Sequence, residues 1–210
     1  MFQHTSCKTI ATILFFSMSF SAVANQQWWN AFSAKTNVEE YSLGLESEQK
    51  FRDEGSALYL TNLKLSISRT LIDKLKGGMA VRYENTESLS GSNTEEVRIT
   101  PYLTHKMSLH QDWAFASRLR AENRWRHGDH ALRVRLRGKL SRSFDTFSLF
   151  GSYEYFYNLT DNSRFDKSRS ALGYSTALSK NWGLDLYYLY QNNSNNTSEN
   201  VLGSKFSYKF

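Results

Sequence analysis

Alternation of apolar and polar side chains along most of its length predicts that this chain is all-β, a transmembrane antiparallel up-and-down β-barrel of about ten strands. Three observations carry that expectation. Residues 113–127 place Trp113, Phe115, Leu119, Ala121 and Trp125 on one parity and Arg118, Arg120, Glu122, Arg124 and Arg126 on the other. This is strand behaviour, because successive side chains of a strand point to opposite faces. The alternating segments also outrun the roughly 5–6 residues typical of soluble sheets and suit the ~9–11 tilted residues that cross a bilayer. Finally, Tyr and Trp gather toward the ends of the apolar faces, as interface girdles do. A soluble sandwich alternates too, but strand length and unbroken rows of Arg argue against it. A sheet in lipid has to close, since no water satisfies its edges, so the apolar faces are expected outward and the polar faces inward.

Taken in order, Lys8, the apolar stretch from Ile10 to Phe20 and Ala22-Val23-Ala24 form the pattern of a cleaved secretory leader over 1–24, leaving 25–210 as the barrel. The apolar stretch is too short to span a ~30 Å hydrocarbon core as a helix. Cys7, the one cysteine, leaves with the leader, so no disulfide or thiolate metal site is expected in the mature part. Trp28 to Lys35 reads as a further short strand or as a segment tucked at one rim. Strands follow near 39–51, 57–69, 78–86, 95–108, 113–127, 130–142, 147–160, 165–179, 182–193 and 199–210, divided by turn-like clusters. Twelve strands would need Trp28–Lys35 and one more crossing. The carboxyl end, Gly203 to Phe210, alternates down to a terminal aromatic and resembles the last strand of bacterial outer-membrane barrels. That resemblance implies that Phe210 is a signal for the barrel assembly machinery. With both ends in the periplasm and an even strand number, the turns near 73–78, 110–112, 143–145 and 180–181 fall on the periplasmic side. Those near 53–56, 86–94, 128–129, 160–163 and 192–198 fall outside.

Composition narrows the function classes. Fourteen Phe, twelve Tyr and five Trp in 210 residues exclude a disordered chain, and eleven Gly with one Pro exclude a collagen-like one. A formal net charge of +6 raises nucleic-acid binding, but bases that face a narrow lumen in an exported chain argue against it, so no nucleic-acid partner is expected.

The bases carry the chemical content. A hairpin turning at Gly128-Asp129 would set Arg124 opposite Arg133, Glu122 opposite Arg135, Arg120 opposite Arg137 and Arg118 opposite Lys139, all pointing into the lumen. Parity adds Lys50, Arg52, Lys64, Arg82, Arg98, Lys106, Arg126, Lys167, Arg169, Lys205 and Lys209. The inward acids are fewer: Glu46, Glu48, Glu84, Glu96, Glu122, Glu154 and Asp185. Directly opposed like charges destabilise a strand pair, so lumen water, facing acids or an anionic ligand must offset them. Two readings stay open. Acids and bases form a closed salt-bridge network filling a narrow barrel, or the bases line a pore that favours anions. Glu39/Glu40 and Glu95/Glu96 read as solvated rim residues. His127 and His130 flank Asp129 and raise a third reading, a membrane hydrolase at the rim. No G-x-S-x-G, H-E-x-x-H or EF-hand spacing accompanies them, so an enzyme is not expected, nor a metal or cofactor.

Two resemblances bear on these readings. Arg118 to Arg124, the Arg133/Arg135/Arg137 row, Tyr153 to Asn158, Arg169 to Tyr174, Leu178 to Trp182 and Tyr188 to Gln191 resemble the domain-of-unknown-function family 2490, over most of the mature chain. That resemblance implies a bacterial outer-membrane barrel and no particular activity. A weaker likeness, carried by Ile99-Thr100-Pro101-Tyr102-Leu103 and the Arg rows, is to the oligogalacturonate-specific porin family, whose narrow Arg-lined channels pass acidic oligosaccharides. The expectation is therefore a monomer in outer-membrane lipid, acting as a narrow anion-preferring channel for small acidic solutes. The alternative is a non-conducting structural or interaction barrel.

Overall fold

β-Branched and aromatic residues alternating with charged ones leave each segment one apolar and one polar face, and a sheet with two such faces is stable here only as a closed surface. The computed structural model describes residues 26–160 and 164–210. The expected leader over 1–24 and positions 161–163 of one expected loop lie outside them. The strands are β1 (Gln26–Val38), β2 (Tyr41–Arg52), β3 (Ala57–Ile72), β4 (Leu75–Glu87), β5 (Asn93–His110) and β6 (Trp113–Arg126). They continue as β7 (Asp129–Ser143), β8 (Phe147–Asn158), β9 (Arg164–Ala177), β10 (Trp182–Asn193) and β11 (Ser198–Lys209), with a single 3-10 turn at Asp53–Gly55. Neighbours in sequence pair antiparallel, and β1 pairs with β11 to close the barrel.

The all-β barrel and each of the ten expected strands are present, with two differences. The strand count is eleven, because the segment around Trp28–Lys35 is a full strand. It lies between β2 and β11 and runs parallel to β11, from Gln26 beside Asn200 to Lys35 beside Lys209. The barrel is therefore antiparallel except at this one seam. An odd number of up-and-down strands can close only through one parallel pair, and closure satisfies the edges that β2 and β11 would otherwise expose. A consequence is that Gln26 and Phe210 lie at opposite rims, not together as an even barrel requires. The Phe210 rim carries the turns at 39–40, 73–74, 111–112, 144–146 and 178–181; the opposite rim carries 53–56, 88–92, 127–128 and 194–197.

The second difference is a register. The β6–β7 hairpin turns at His127-Gly128, with φ of 49° and 89°, so that Arg126 pairs with Asp129. Two residues in the left-handed region form the turn whose twist matches the flanking strands. Gly128 takes that region without strain, and His is among the residues enriched there. Relative to the expected turn at Gly128-Asp129, every partner moves by two positions. Glu122 faces Arg133, Arg120 faces Arg135, Arg118 faces Arg137 and Arg124 faces Ala131. Parity is unchanged, so the inward set survives the shift.

Burial is inverted relative to a water-soluble protein. Leu65, Leu136 and Leu172 are 59%, 56% and 70% exposed on the outer face, an apolar belt too continuous for water. Among the described residues the buried set is dominated by polar and charged side chains. The one buried apolar cluster is Trp29, Leu189 and Val201, backed by Ala171 and Tyr187, on the lumenal side of β1 and β9–β11. Three aromatic residues reach the lumen across glycines of the neighbouring strand, one of them Tyr102 opposite Gly78. Tyr187 stands opposite Gly203 and Phe150 opposite Gly173, and a Cβ on any of the three glycines would run into the ring. These glycines make room for an inward-lying ring, a close approach no larger residue permits.

Candidate functional site: the charged lumen

Inward side chains from around the whole barrel build the site, and acids shared between strands organise it. Glu122 on β6 is 2% exposed and accepts from Arg133 at 2.6 Å and Arg135 at 2.5 Å on β7, with Arg98 of β5 at 3.8 Å on its other side. Glu96 on β5 accepts from Arg98, from Arg124 at 2.8 Å and from Arg126 at 2.6 Å. Glu154 on β8 holds Arg135 at 2.9 Å and lies 4.0 Å from Arg120, and Asp166 on β9 takes the remaining arm of Arg133 at 2.7 Å. Charge-assisted, multiply shared bonds of this kind are the strong ones. Every member is tied to at least one other, which is what makes a buried charged network tolerable. Toward β2–β4, Glu46 joins Lys64 and Lys205, and Glu48 accepts from Asn62 at 2.7 Å with Arg82 at 3.8 Å.

Parity sets Glu96 among the inward acids, where it lies, while the reading of the Glu95/Glu96 pair as solvated rim residues is corrected for Glu96. It is a buried hub, 2% exposed, and not a solvated rim residue. β5 runs outward as far as Asn93 before the 88–92 turn, which brings Glu96 inside the barrel. Glu40, by contrast, is at a rim, 3.3 Å from Arg69.

Aromatic rings fill the space beside the network, and the sequence reading left them unassigned. Phe156, 1% exposed, carries Arg135 at 4.3 Å, Arg169 at 4.9 Å and Arg133 at 5.2 Å from its ring centre. Trp29 carries Lys50 at 3.7 Å and Arg169 at 4.8 Å. Cations stacked on ring faces and shielded from water are favourable contacts. Together the acids and rings pack the lumen on the side away from Phe210. The signal that marks these rings is parity: Phe150 and Phe156 share it with Glu154, and Tyr187 shares it with Asp185.

On the Phe210 side the lumen is open. A cavity of about 330 Å³ extends from Arg98, Arg120 and Glu122 to Lys35, Ser42 and Lys76 beside the turns of that rim. Its lining is rich in bases, including Lys106, Arg118, Arg137 and Lys205, with Glu46 and Glu122 as its acids. Lys35 and Lys76 were outside the expected inward set, since the first fell in the unassigned segment and the second in an expected turn. The other expected residues divide by position. Lys139 lies over Phe150 at 3.8 Å, and Asp185 stands opposite Lys205. Phe210 is 74% exposed, with its ring edge-on to Tyr208 at 4.8 Å and its N–H donating to the Lys35 carbonyl at 3.0 Å.

The histidines do not assemble into a site. His127 forms the turn itself, whereas His130 pairs with Trp125 and lies against its ring at 5.2 Å. Among the described residues no group of His, Cys, Asp and Glu has the arrangement of a metal site.

Comparison with solved structures finds porins and an autotransporter's translocator domain. The NanC porin, in a rhombohedral crystal form, is 12% identical with a TM-score of 0.52, covering 86% of this chain and 95% of its own. The KdgM porin in complex with disordered oligogalacturonate is 18% identical with a TM-score of 0.46, covering 81% and 91%. The translocator domain of the autotransporter NalP from Neisseria meningitidis is 12% identical with a TM-score of 0.45, covering 80% and 72%. No curated protein matches the chain. The model of the DUF2490 family, described as a protein of unknown function, matches residues 26–201. With that match spanning most of the sequence, and a closed barrel of the kind NanC shares, the chain belongs to the DUF2490 family.

Proposed function

We propose that this protein is an outer-membrane barrel that passes small acidic solutes through a narrow, anion-preferring lumen. In this reading the chain is exported with loss of its 1–24 leader, inserted as a monomer by the barrel assembly machinery acting on Phe210, and seated in lipid with the Phe210 rim toward the periplasm. The observation that carries it is the basic cavity, in which Lys35, Lys76, Lys106, Arg118 and Arg137 line open space and have no acid within 4.0 Å among the described residues. Rings of Lys and Arg favour anions in a pore, and a field of one sign in a low-dielectric cleft concentrates them. Liposome swelling tests the proposal. Vesicles holding the protein are expected to admit galacturonate faster than galactose, two solutes of similar size. Equal rates, or faster entry of the neutral sugar, would contradict it.

One observation favours the second reading, a non-conducting barrel. The Arg133–Glu122–Arg135 bridge on the β6–β7 wall is fully buried, with the Phe156 ring packed over both guanidinium groups, so this end of the lumen is filled by side chains. Charge reversal separates the readings. In a channel, Arg137→Glu leaves the barrel folded and shifts solute preference toward neutral or cationic solutes. In a closed structural barrel it changes no permeation at all, and Arg135→Glu shows only lowered heat stability.

A further inference from the structure

Arg118 and Arg137 stand directly opposite each other on β6 and β7, an arrangement that costs stability unless something lies between or beside the charges. The protein does not supply it. The acid beside Arg137 in register is Glu154 on β8, and Glu154 is held by Arg135. Arg118 donates its Nε to the Thr104 hydroxyl at 2.9 Å, a neutral partner that parks the side chain and leaves its two terminal amino groups without an acid. Lys35, Lys76 and Lys106 line the same cavity. Deeper in the lumen Glu96, Glu122 and Glu154 are each shared among several bases, which leaves Lys35, Lys76, Lys106, Arg118 and Arg137 with no acid within 4.0 Å among the described residues.

We infer that this cavity is a binding site for a compact anion bearing two or more carboxylate or phosphate groups, held between Arg118 and Arg137 with Lys106 beside them. Planar guanidinium groups bind such oxyanions in two-pronged fashion, and hydroxyls of Ser66, Thr100 and Tyr102 on the cavity wall offer neutral donors for the remaining oxygens. The cavity's inner end is the Glu122 network and its outer end the Phe210 rim, so the anion enters from that rim and rests against the network. The inference deepens the proposed function by naming the resting place and valence of the solute, and it relies on the basic lumen but not on conduction.

Isothermal titration of the full chain in detergent provides the test, with tripolyphosphate and citrate as probes and acetate as the monovalent comparison. Saturable binding of one multivalent anion per barrel is expected, with acetate weaker by about tenfold or more. Arg137→Gln and Lys106→Gln are each expected to weaken it by about tenfold, while Arg69→Gln at the exposed rim leaves it unchanged. Should a lumen variant fail to fold, protection replaces it. Tripolyphosphate is expected to slow labelling of Ser68→Cys, on the cavity wall, by an anionic thiosulfonate. Absence of saturable binding, equal affinity for acetate, undiminished binding in both lumen variants or unprotected Ser68→Cys would each overturn the inference. A barrel that binds tripolyphosphate without conducting ends the channel reading and leaves this site standing; one that conducts anions without saturable binding does the reverse.

Discussion

Glu122 places three guanidinium groups around one carboxylate inside the barrel, and its removal exposes the logic of the lumen. Glu122→Ala leaves Arg133 and Arg135 facing each other's charge with only Asp166 and Glu154 to answer them. Breaking a buried pair from one side typically costs about 3–5 kcal/mol, and the acids that still hold the two guanidinium groups place this case toward the low end of that range. The expected outcome is a barrel that still inserts but loses its compact form in detergent at a lower temperature, read as heat-modified mobility on a gel. Unchanged heat resistance would mean that the network contributes no stability. The sequence made the inward direction of these residues legible, since parity alone separates Arg133, Arg135 and Glu122 from Leu132, Val134 and Leu136. It did not reveal which acid meets which base. Those partnerships depend on the register of paired strands, as for Glu96 with Arg124 and Arg126 across the β5–β6 hairpin, or skip a strand, as for Arg133 of β7 with Asp166 of β9.

Register is a property of elements, and the β6–β7 hairpin shows how little sequence decides it. His127-Gly128 and Gly128-Asp129 are both acceptable turn pairs by composition, and they differ by two in register without changing which face is apolar. Backbone twist selects the first, with both turn residues at positive φ. Cross-linking checks this directly. Leu119 and Leu136 are opposite each other, so Leu119→Cys with Leu136→Cys is expected to form a disulfide. Leu119→Cys with Gly138→Cys, a diagonal pair roughly 7–8 Å apart, is expected to remain reduced because that exceeds disulfide reach. The opposite pattern would restore the turn at Gly128-Asp129. β1 was only half legible for a different reason. Its lumenal face carries Trp29, Ala31 and Ser33, all buried, while its outer face includes Asn30 and Thr36, so the contrast between faces that marks the other strands is blurred.

For the molecule as a whole, the parallel seam between β1 and β11 and the asymmetric lumen are the features that sequence patterning could not supply. An odd strand count fixes the seam, and the clustering of shared acids on the neighbouring strands β5, β6 and β8 marks where the interior is packed, leaving the Phe210 side open. Sidedness follows from the orientation proposed for the barrel. On intact cells, a membrane-impermeant maleimide is expected to label Ser90→Cys in the 88–92 turn and to spare Glu39→Cys in the 39–40 turn. Labelling of Glu39→Cys alone would turn the barrel over and open the basic cavity to the exterior.

A lumen whose uncompensated positive charge admits anions sets the sign of the reversal potential of the purified protein in a planar bilayer under a potassium chloride gradient. A measurable current reversing on the chloride side of zero is expected. A current reversing on the potassium side, or a membrane that stays silent with correctly inserted protein, would contradict an anion-admitting lumen.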